Sequence, residues 1–188
     1  MTTSPTRLSH VVLKSHDPKA LMEWYCDALG GRIIFDSPFF VFMTYDEEHH
    51  RVAAMLSDQP PAKGGNGLMH LAFGFDDVDQ LLDHYQRLAA GGTKPATGVH
   101  HGPTISLYYK DPDDNVVEFF IDTMPQDEAT EFMMGPVYAA NPVGYEIDAE
   151  DMVAARDAGK TSEEITAFDT DKDVDVMAVL SRQMELLF

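Results

Sequence analysis

Hydrophobic and polar residues alternate with two different periods along the first two thirds of the chain, and the whole pattern occurs twice. From Leu8, "LSHVVLKSHDPKALMEWYCDALGGRI" combines a short alternating segment, a segment with helical spacing and a glycine stop. From Leu68, "LMHLAFGFDDVDQLLDHYQRLAAGGTK" repeats this order about 60 residues later. Alternation predicts a strand, and apolar residues three or four apart predict an amphipathic helix. The sequence therefore predicts a strand and a helix at each place.

Further strand signals follow each predicted helix. They are "GRIIFD", "FFVFMTY" and "RVAAMLS" after the first helix, and a weak segment near 94–98, "ISLYYK" and "NVVEFFI" after the second. Each copy is thus predicted to be a β-α-β-β-β module, and internal repetition of this kind is a strong indicator of architecture. We predict an α+β fold in which two repeated modules, about 6–58 and 67–122, form a curved, partly closed mixed sheet cavity.

The pattern also predicts how the rest of the chain is organised. The Pro- and Gly-rich segment 58–67 predicts a linker, so that residues 1–122 form the paired domain and 123–188 a helical C-terminal extension. Amphipathic helices are predicted in the extension near 150–158, 162–167 and 174–187. Its apolar final turn favours packing against the sheets or a partner subunit. We expect a homo-oligomer, with a dimer favoured.

Composition narrows the classes of function. The net charge is −19, from 32 acidic and 13 basic residues, which disfavours binding to nucleic acid or to an anionic membrane. Cys26 is the single cysteine, so no disulfide can form within the chain. The first residues lack the basic and apolar regions of a signal peptide, and no apolar run approaches the roughly 18 residues that cross a membrane. We therefore expect a cytoplasmic protein.

Three residues with metal-binding side chains lie at related places in this pattern. His10 in the first copy matches His70 in the second, and Glu118 lies inside the apolar run "VVEFF". Each histidine alone is also compatible with a hydrogen-bonded core residue. A buried carboxylate, however, costs several kcal/mol unless something compensates its charge. Two imidazoles and one carboxylate suit a divalent first-row metal, commonly Fe(II), so the three residues are predicted to bind one.

The repeat also indicates where a fourth ligand is missing. Aligning "RVAAMLSD" (51–58) with "NVVEFFID" (115–122) sets Ala54 opposite Glu118. Alanine cannot bind a metal, and three protein ligands leave about three positions of an octahedral ion for water, substrate or dioxygen. The pattern thus predicts an open site that a substrate with two neighbouring oxygen atoms can chelate.

These segments carry a family resemblance. The paired modules with "LSHVVL", "LMHLAF" and "DPDDNVVEF" resemble the vicinal oxygen chelate superfamily of glyoxalases, bleomycin-resistance proteins and extradiol dioxygenases, over roughly residues 6–122. Narrower motifs are similar to the extradiol ring-cleaving dioxygenases, most of all to single-domain type I members such as biphenyl-diol dioxygenases. These motifs are His101, Leu107-Tyr108, Asp111-Pro112 and Glu118 in that order, and "HHRVAAM" from His49.

The resemblance implies an extradiol catechol dioxygenase that uses Fe(II), or Mn(II), to incorporate both atoms of O2 into a small aromatic diol. It implies that the metal is held by His10, His70 and Glu118. It further implies that His50 is the acid–base residue, and that His101 and Tyr108 donate hydrogen bonds to the bound diol. Either His100 or His101 can be aligned with this motif, and His101, directly before Gly102, is the better match.

One departure from the family pattern concerns the turn before Glu118. The usual glycine is replaced by Asp114, followed by Asn115, and both residue types tolerate a positive φ. We therefore expect the turn to be kept.

Two alternative functions are compatible with the sequence. The first is another three-ligand metalloenzyme of the superfamily, namely a lyase, an epimerase or a thiol transferase. Ala54 disfavours the lyases and epimerases, which generally use a fourth protein ligand. The second is a metal-free protein that sequesters a small molecule, and the complete His10, His70 and Glu118 set disfavours it.

Overall fold

The computed structural model describes residues 7–58 and 68–187, the last two through their backbone only. This part of the chain is an α+β fold with two mixed sheets and several helices, as predicted. The predicted linker, 58–67, lies outside the described residues apart from Asp58. The chain divides into a first unit, Met1–Gly65 with Asp111–Asn115, and a second unit, Asn66–Lys110 with Val116–Phe188.

The first unit contains a four-stranded sheet and one helix. Its elements are β1 (Val11–Ser15), α1 (Pro18–Leu29), β2 (Arg32–Asp36), β3 (Phe40–Thr44) and β4 (Val52–Leu56). The strands lie in the order β1-β4-β3-β2, with β1 parallel to β4 and the other pairs antiparallel. Helix α1 begins where the Asp17 carboxylate accepts a hydrogen bond from the Ala20 N–H, and it ends at Gly30, whose φ of 64° favours glycine.

The second unit repeats this order of elements and adds one strand. Its elements are β5 (Leu71–Phe75), α2 (Val78–Ala90), β6 (Thr97–His100), β7 (Thr104–Lys110), β8 (Val116–Asp122) and β9 (Tyr145–Ile147). The strand order is β5-β8-β7-β6-β9, and β5 is parallel to β8. Asp77 caps α2 by accepting a hydrogen bond from the Gln80 N–H at 2.8 Å. Both helix starts were therefore predictable from an acidic residue before an apolar period.

The segment after β8 is helical, as predicted, with one unpredicted strand. Its helices are α3 (Gln126–Met133), α4 (Pro136–Ala140), α5 (Ala149–Asp157), α6 (Ser162–Thr166) and α7 (Val176–Leu187). The last three confirm the helices predicted near 150–158, 162–167 and 174–187. Strand β9 was missed because three residues are too few to establish a period of two. Among the described residues, no helix combines the length and the apolar character needed to cross a lipid bilayer.

Candidate functional site

Glu118 is buried in the middle of the second sheet. It lies on β8 opposite Ala72 of β5 and Tyr108 of β7, and only 8% of it is exposed. His70, the residue that precedes β5, places its Nε2 atom 3.0 Å from Oε2 of Glu118. A buried carboxylate is tolerated when it is paired, and the imidazole of His70 is the partner here. Glu118 is therefore buried, as predicted, and His70 of the same unit compensates its charge.

The two groups alter each other's protonation. Burial acts to raise the pKa of Glu118, but the hydrogen bond and charge of His70, with other nearby groups, outweigh it and the pKa is lowered. The hydrogen bond to Glu118 in turn raises the pKa of His70. The site therefore favours a carboxylate beside a positive charge. One nitrogen and one carboxylate oxygen 3.0 Å apart are also a donor pair that a divalent first-row metal accepts.

Tyr108 and His101 extend this group within the second unit. The Tyr108 hydroxyl lies 3.0 Å from Nε2 of His101, and Nδ1 of His101 lies 2.7 Å from the main-chain oxygen of Val143. Tyr108 is 7% exposed. Burial raises the pKa of the Tyr108 hydroxyl and lowers the pKa of His101. Both side chains thus favour their neutral forms.

The neighbouring His100 is directed elsewhere. Its Nε2 donates a hydrogen bond to the Thr166 carbonyl at 3.0 Å, and its Nδ1 accepts one from the Gly102 N–H. The ring packs against Tyr145 and Phe168 of the C-terminal segment. Of the two histidines that the sequence left as alternatives, His101 is therefore the one in contact with Tyr108.

The first unit contains a separate group of three histidines. The ring nitrogens of His10, His49 and His50 that could bind a metal all lie within 4.8 Å of one another. His10 precedes β1 directly, and His49 and His50 come shortly before β4. The ring centroids of His10 and His50 are 4.1 Å apart, and Phe42 stacks on His50 with the centroids 4.9 Å apart. Neutral imidazoles in such a group are suitable ligands for a divalent ion.

Electrostatics and an arginine organise this histidine group. Burial, together with the charges of His10 and His49, lowers the pKa of His50. The Arg51 guanidinium binds the Asp46 carboxylate at 2.7 Å and donates to the carbonyls of Leu8 and Ser9. Arg51 thereby joins the segment before His10 to the loop that carries His50. Sequence reasoning did not identify this link, because 42 and 43 residues separate Arg51 from the two carbonyls.

Strand register corrects one detail of the sequence alignment. In the first sheet Val12 is opposite Ala53, whereas in the second sheet Ala72, 60 positions after Val12, is opposite Glu118. The residue of β4 that corresponds to Glu118 is therefore Ala53, and the prediction of Ala54 was wrong by one residue. The chemical conclusion is unchanged, since neither alanine can bind a metal.

The turn before β8 adopts the backbone expected for it. Asp114 has a φ of 64°, the only positive φ of a residue other than glycine in the described parts of the chain. The Asp111 carboxylate accepts hydrogen bonds from the main-chain N–H groups of Asp113 and Asn115 and stabilises the turn. The expectation that an aspartate can replace the usual glycine here is confirmed.

Comparison with known sequences identifies the class. The sequence profile of the glyoxalase/bleomycin resistance protein/dioxygenase superfamily matches residues 7–119. The chain belongs to this superfamily, as the resemblance in its motifs implied. A crystal structure of a glyoxylase/bleomycin resistance protein/dioxygenase domain from Frankia sp. EAN1pec has a similar fold, with a TM-score of 0.54 and 19% identity. That comparison covers 63% of this chain and 93% of the Frankia chain.

Two curated relatives are more similar in sequence. The chain is 41% identical over 170 residues to biphenyl-2,3-diol 1,2-dioxygenase 2 of Rhodococcus globerulus, which covers 88% of this chain and 89% of the relative. It is 39% identical over 173 residues to biphenyl-2,3-diol 1,2-dioxygenase 3 of the same organism, covering 88% and 90%. Both alignments are long enough to include most of the C-terminal segment.

Proposed function

We propose that the chain is an extradiol ring-cleaving dioxygenase that acts on a vicinal aromatic diol with O2. Two relatives of about 40% identity over 88% of the chain are named biphenyl-2,3-diol 1,2-dioxygenases. The observation that carries the proposal is the buried carboxylate of Glu118, paired with His70 and faced across the sheet by Tyr108. A packed core gains nothing from a buried carboxylate, whereas a metal-dependent oxygenase needs one as a metal ligand.

The proposed metal ligands are His70 and Glu118 of the second unit, with His10 of the first unit as the third. The ligand types support this assignment, because two imidazoles and one carboxylate are the set used by Fe(II) oxygenases. Fe(II) is the proposed ion and Mn(II) the alternative. When bound, the ion would act as a Lewis acid that lowers the pKa of the diol hydroxyls and holds the diol beside O2.

The remaining site residues have proposed roles in proton transfer and orientation. His50 holds a neutral imidazole, because burial and its histidine neighbours lower its pKa, and such a group can accept a proton from a diol hydroxyl. The same proton is returned as the ring opens. Phe42, stacked on His50, fixes the plane of the imidazole and limits access of water to it. Tyr108 hydrogen-bonds the diol and orients it, and His101 holds Tyr108 in place through the contact between Nε2 and the hydroxyl.

We also propose that the two units are copies of one β-α-β-β-β module, with residues 123–188 as an extension. The support is their common order of elements and the matching registers of β1 with β4 and of β5 with β8. The cavity between paired modules, the dimer and the cytoplasmic location stay predictions of the sequence.

One experiment tests the function directly. The chain is purified without oxygen, loaded with Fe(II), and its metal content is measured. Oxygen uptake and the yellow ring-fission product are then followed with biphenyl-2,3-diol and a panel of smaller catechols. We expect close to one iron per chain and one O2 consumed per diol cleaved.

The alternative functions give different results in the same experiment. Bound metal without oxygen uptake on any diol would contradict the dioxygenase and favour another metalloenzyme of the superfamily. A chain that binds diols but no metal would favour a sequestering protein.

A further inference from the structure

A tight turn in the C-terminal segment contacts His101 through its main chain. The Asn141 side chain holds this turn, because its Oδ1 accepts hydrogen bonds from the N–H groups of Val143 and Gly144 while its Nδ2 donates to the Gly144 carbonyl. Gly144 has a φ of 85°, and a Cβ at this position would collide with the His100 carbonyl. The turn therefore has little freedom to move away from the strand it contacts.

The strand pairing explains why this turn lies at His101. Strand β9 begins at Tyr145 and runs antiparallel to β6, with Tyr145 opposite His100. In an antiparallel pair, the residue before Tyr145 faces the residue after His100. Main-chain hydrogen bonds between β9 and β6 thus bring the end of the turn to His101, and these bonds do not depend on the types of the side chains. This contact could not be predicted from the sequence, because every residue has a carbonyl oxygen.

The direction of the hydrogen bonds follows from the carbonyl. A carbonyl oxygen only accepts, so the 2.7 Å contact with Val143 requires that Nδ1 of His101 carries a hydrogen. In a neutral ring, Nε2 is then an acceptor. The Tyr108 hydroxyl lies 3.0 Å from Nε2 and also hydrogen-bonds Glu118. Nε2 of His101 is therefore an acceptor beside this hydroxyl, together with the carboxylate.

We propose that the turn Asn141–Gly144 is a positioning element that fixes the Nδ1–H tautomer of His101 and thereby keeps its Nε2 an acceptor toward the Tyr108 hydroxyl. Both ring nitrogens of His101 are then engaged within the protein, so His101 acts on a bound ligand through Tyr108. The identity of this ligand, an aromatic diol, rests on the proposed function. The sequence motif implied that both residues donate to the diol, whereas this arrangement leaves no N–H of His101 free to do so.

Burial agrees with the neutral state that the Nδ1–H tautomer requires. His101 is half-buried in the second unit, and burial lowers its pKa. The C-terminal segment consequently has a role beyond packing, since Val143 and Asn141 act on the site through His101. They are positioning residues, because neither is placed against the reacting atoms.

The tautomer can be measured by ¹⁵N NMR of histidine. The full-length chain is labelled at histidine and loaded with Zn²⁺, which is diamagnetic, in place of Fe(II), and His101 is assigned by the signals lost in His101→Gln. We expect a protonated Nδ1 and an unprotonated Nε2 in the wild type. Asn141→Ala should lose this preference, and Asn141→Asp, which still accepts from both N–H groups, should restore it.

Asp148→Ala is the matched control. It removes the cap of α5, where Asp148 accepts from the Glu150 N–H, and so perturbs the same segment without touching the turn. It should leave the His101 signals unchanged. We also expect kcat for biphenyl-2,3-diol to fall about tenfold or more in Asn141→Ala, with a small change in KM, because displaced catalytic groups cost rate.

The outcomes separate this inference from the proposed function. An Nε2–H tautomer in the wild type would refute the proposed state of His101, even if Asn141→Ala does not fold. An unaltered tautomer in folded Asn141→Ala would refute the role of the turn. The expected tautomer in a chain that turns over no diol would support the positioning element and contradict the dioxygenase.

Discussion

The two units share an order of elements and differ in how they hold their histidines. In the second unit, His70 is paired with Glu118 inside a sheet that buries the carboxylate. In the first unit, His10 is exposed and has two further histidines as neighbours. The strand position that corresponds to Glu118 is occupied by Ala53. The second unit thus has a carboxylate at a strand position where the first unit has an alanine. Two units with the same order of elements can therefore differ in the charge and proton chemistry of their side chains.

This difference follows from single residues on similar strands. Tyr108 and Phe42 are at matching places, since each lies opposite the strand position just discussed, Glu118 in one sheet and Ala53 in the other. Tyr108 and Glu118 are polar and contact His101 and His70 respectively, whereas Phe42 stacks on His50. A carboxylate ligand offsets part of the charge of a divalent cation and a neutral imidazole does not, so we expect the second unit to contribute most to metal affinity.

The largest effect is expected from removal of the carboxylate charge. Glu118→Gln keeps the shape of the side chain, but a neutral amide is a weak ligand. We expect metal affinity to fall by more than about 100-fold, since even groups that only support a ligand cost 10–100-fold, and diol turnover should be lost. Metal content after dialysis measures this. Asp122→Asn, an exposed residue at the end of the same strand, should keep both properties. Full metal content in Glu118→Gln would contradict the assignment.

The next effect separates proton transfer from metal binding in the first unit. His50→Phe keeps an aromatic ring beside Phe42 but removes the group that carries the proton. We expect kcat to fall by about 10²–10⁴-fold while metal content is retained, which is the range for loss of a general acid or base. His16→Phe is the control, because His16 is exposed and lies outside this histidine group, and it should keep most of the turnover. Loss of metal in His50→Phe would instead make this residue a ligand.

A smaller effect tests the register on which the comparison depends. Ala54 is opposite Leu13 and Val41, both buried, so Ala54→Glu should place a charge on the packed face of the sheet. Ala53 is opposite Val12, which is 54% exposed.

We therefore expect Ala54→Glu to lose about 3 kcal/mol or more of the free energy of unfolding, because its carboxylate is buried without a partner. Ala53 is itself buried, but it is opposite the exposed Val12 and the half-buried Phe42, so Ala53→Glu should lose less, and urea unfolding compares the two. The reverse order of stability would show that Ala54, not Ala53, corresponds to Glu118.

Much of the framework and several site residues could be predicted because their physical causes are local. Asp17 and Asp77 are helix-capping residues and indicate where the two helices begin. The strands follow from the alternation of apolar and polar residues. A glutamate in an apolar run indicates a buried charge with a partner. Asp114 was predictable in the same way, since few residue types accept its backbone angle.

The remaining features depend on contacts that the sequence does not encode locally. The difference between Ala53 and Ala54 depends on strand pairing, which an alignment of two short segments resolves only to within one residue. Val143 acts through its carbonyl, and every residue has one. Arg51 reaches carbonyls far away in the sequence, and its neighbours give no sign of where the guanidinium lies.

The smallest effect concerns the ion pair that supports the histidine group of the first unit. The hydrogen bond from Arg51 lowers the pKa of Asp46 from 3.8 to about 2. Because the folded state binds this proton more weakly, the stabilisation is complete above about pH 4 and is lost as the pH falls toward 2.

The side chains of Arg51 and Asp46 are 22% and 36% exposed, so solvent screens the pair and the effect is small. We expect Asp46→Asn to lower the Tm by about 1–3 °C at pH 7. This difference should shrink steadily between pH 4 and pH 2, and Arg51→Ala should lose the same pH-dependent part. A Tm difference for Asp46→Asn that stays constant over this range would mean that the pair contributes no charge-dependent stability, and that Arg51 joins the two segments through the Leu8 and Ser9 carbonyls alone.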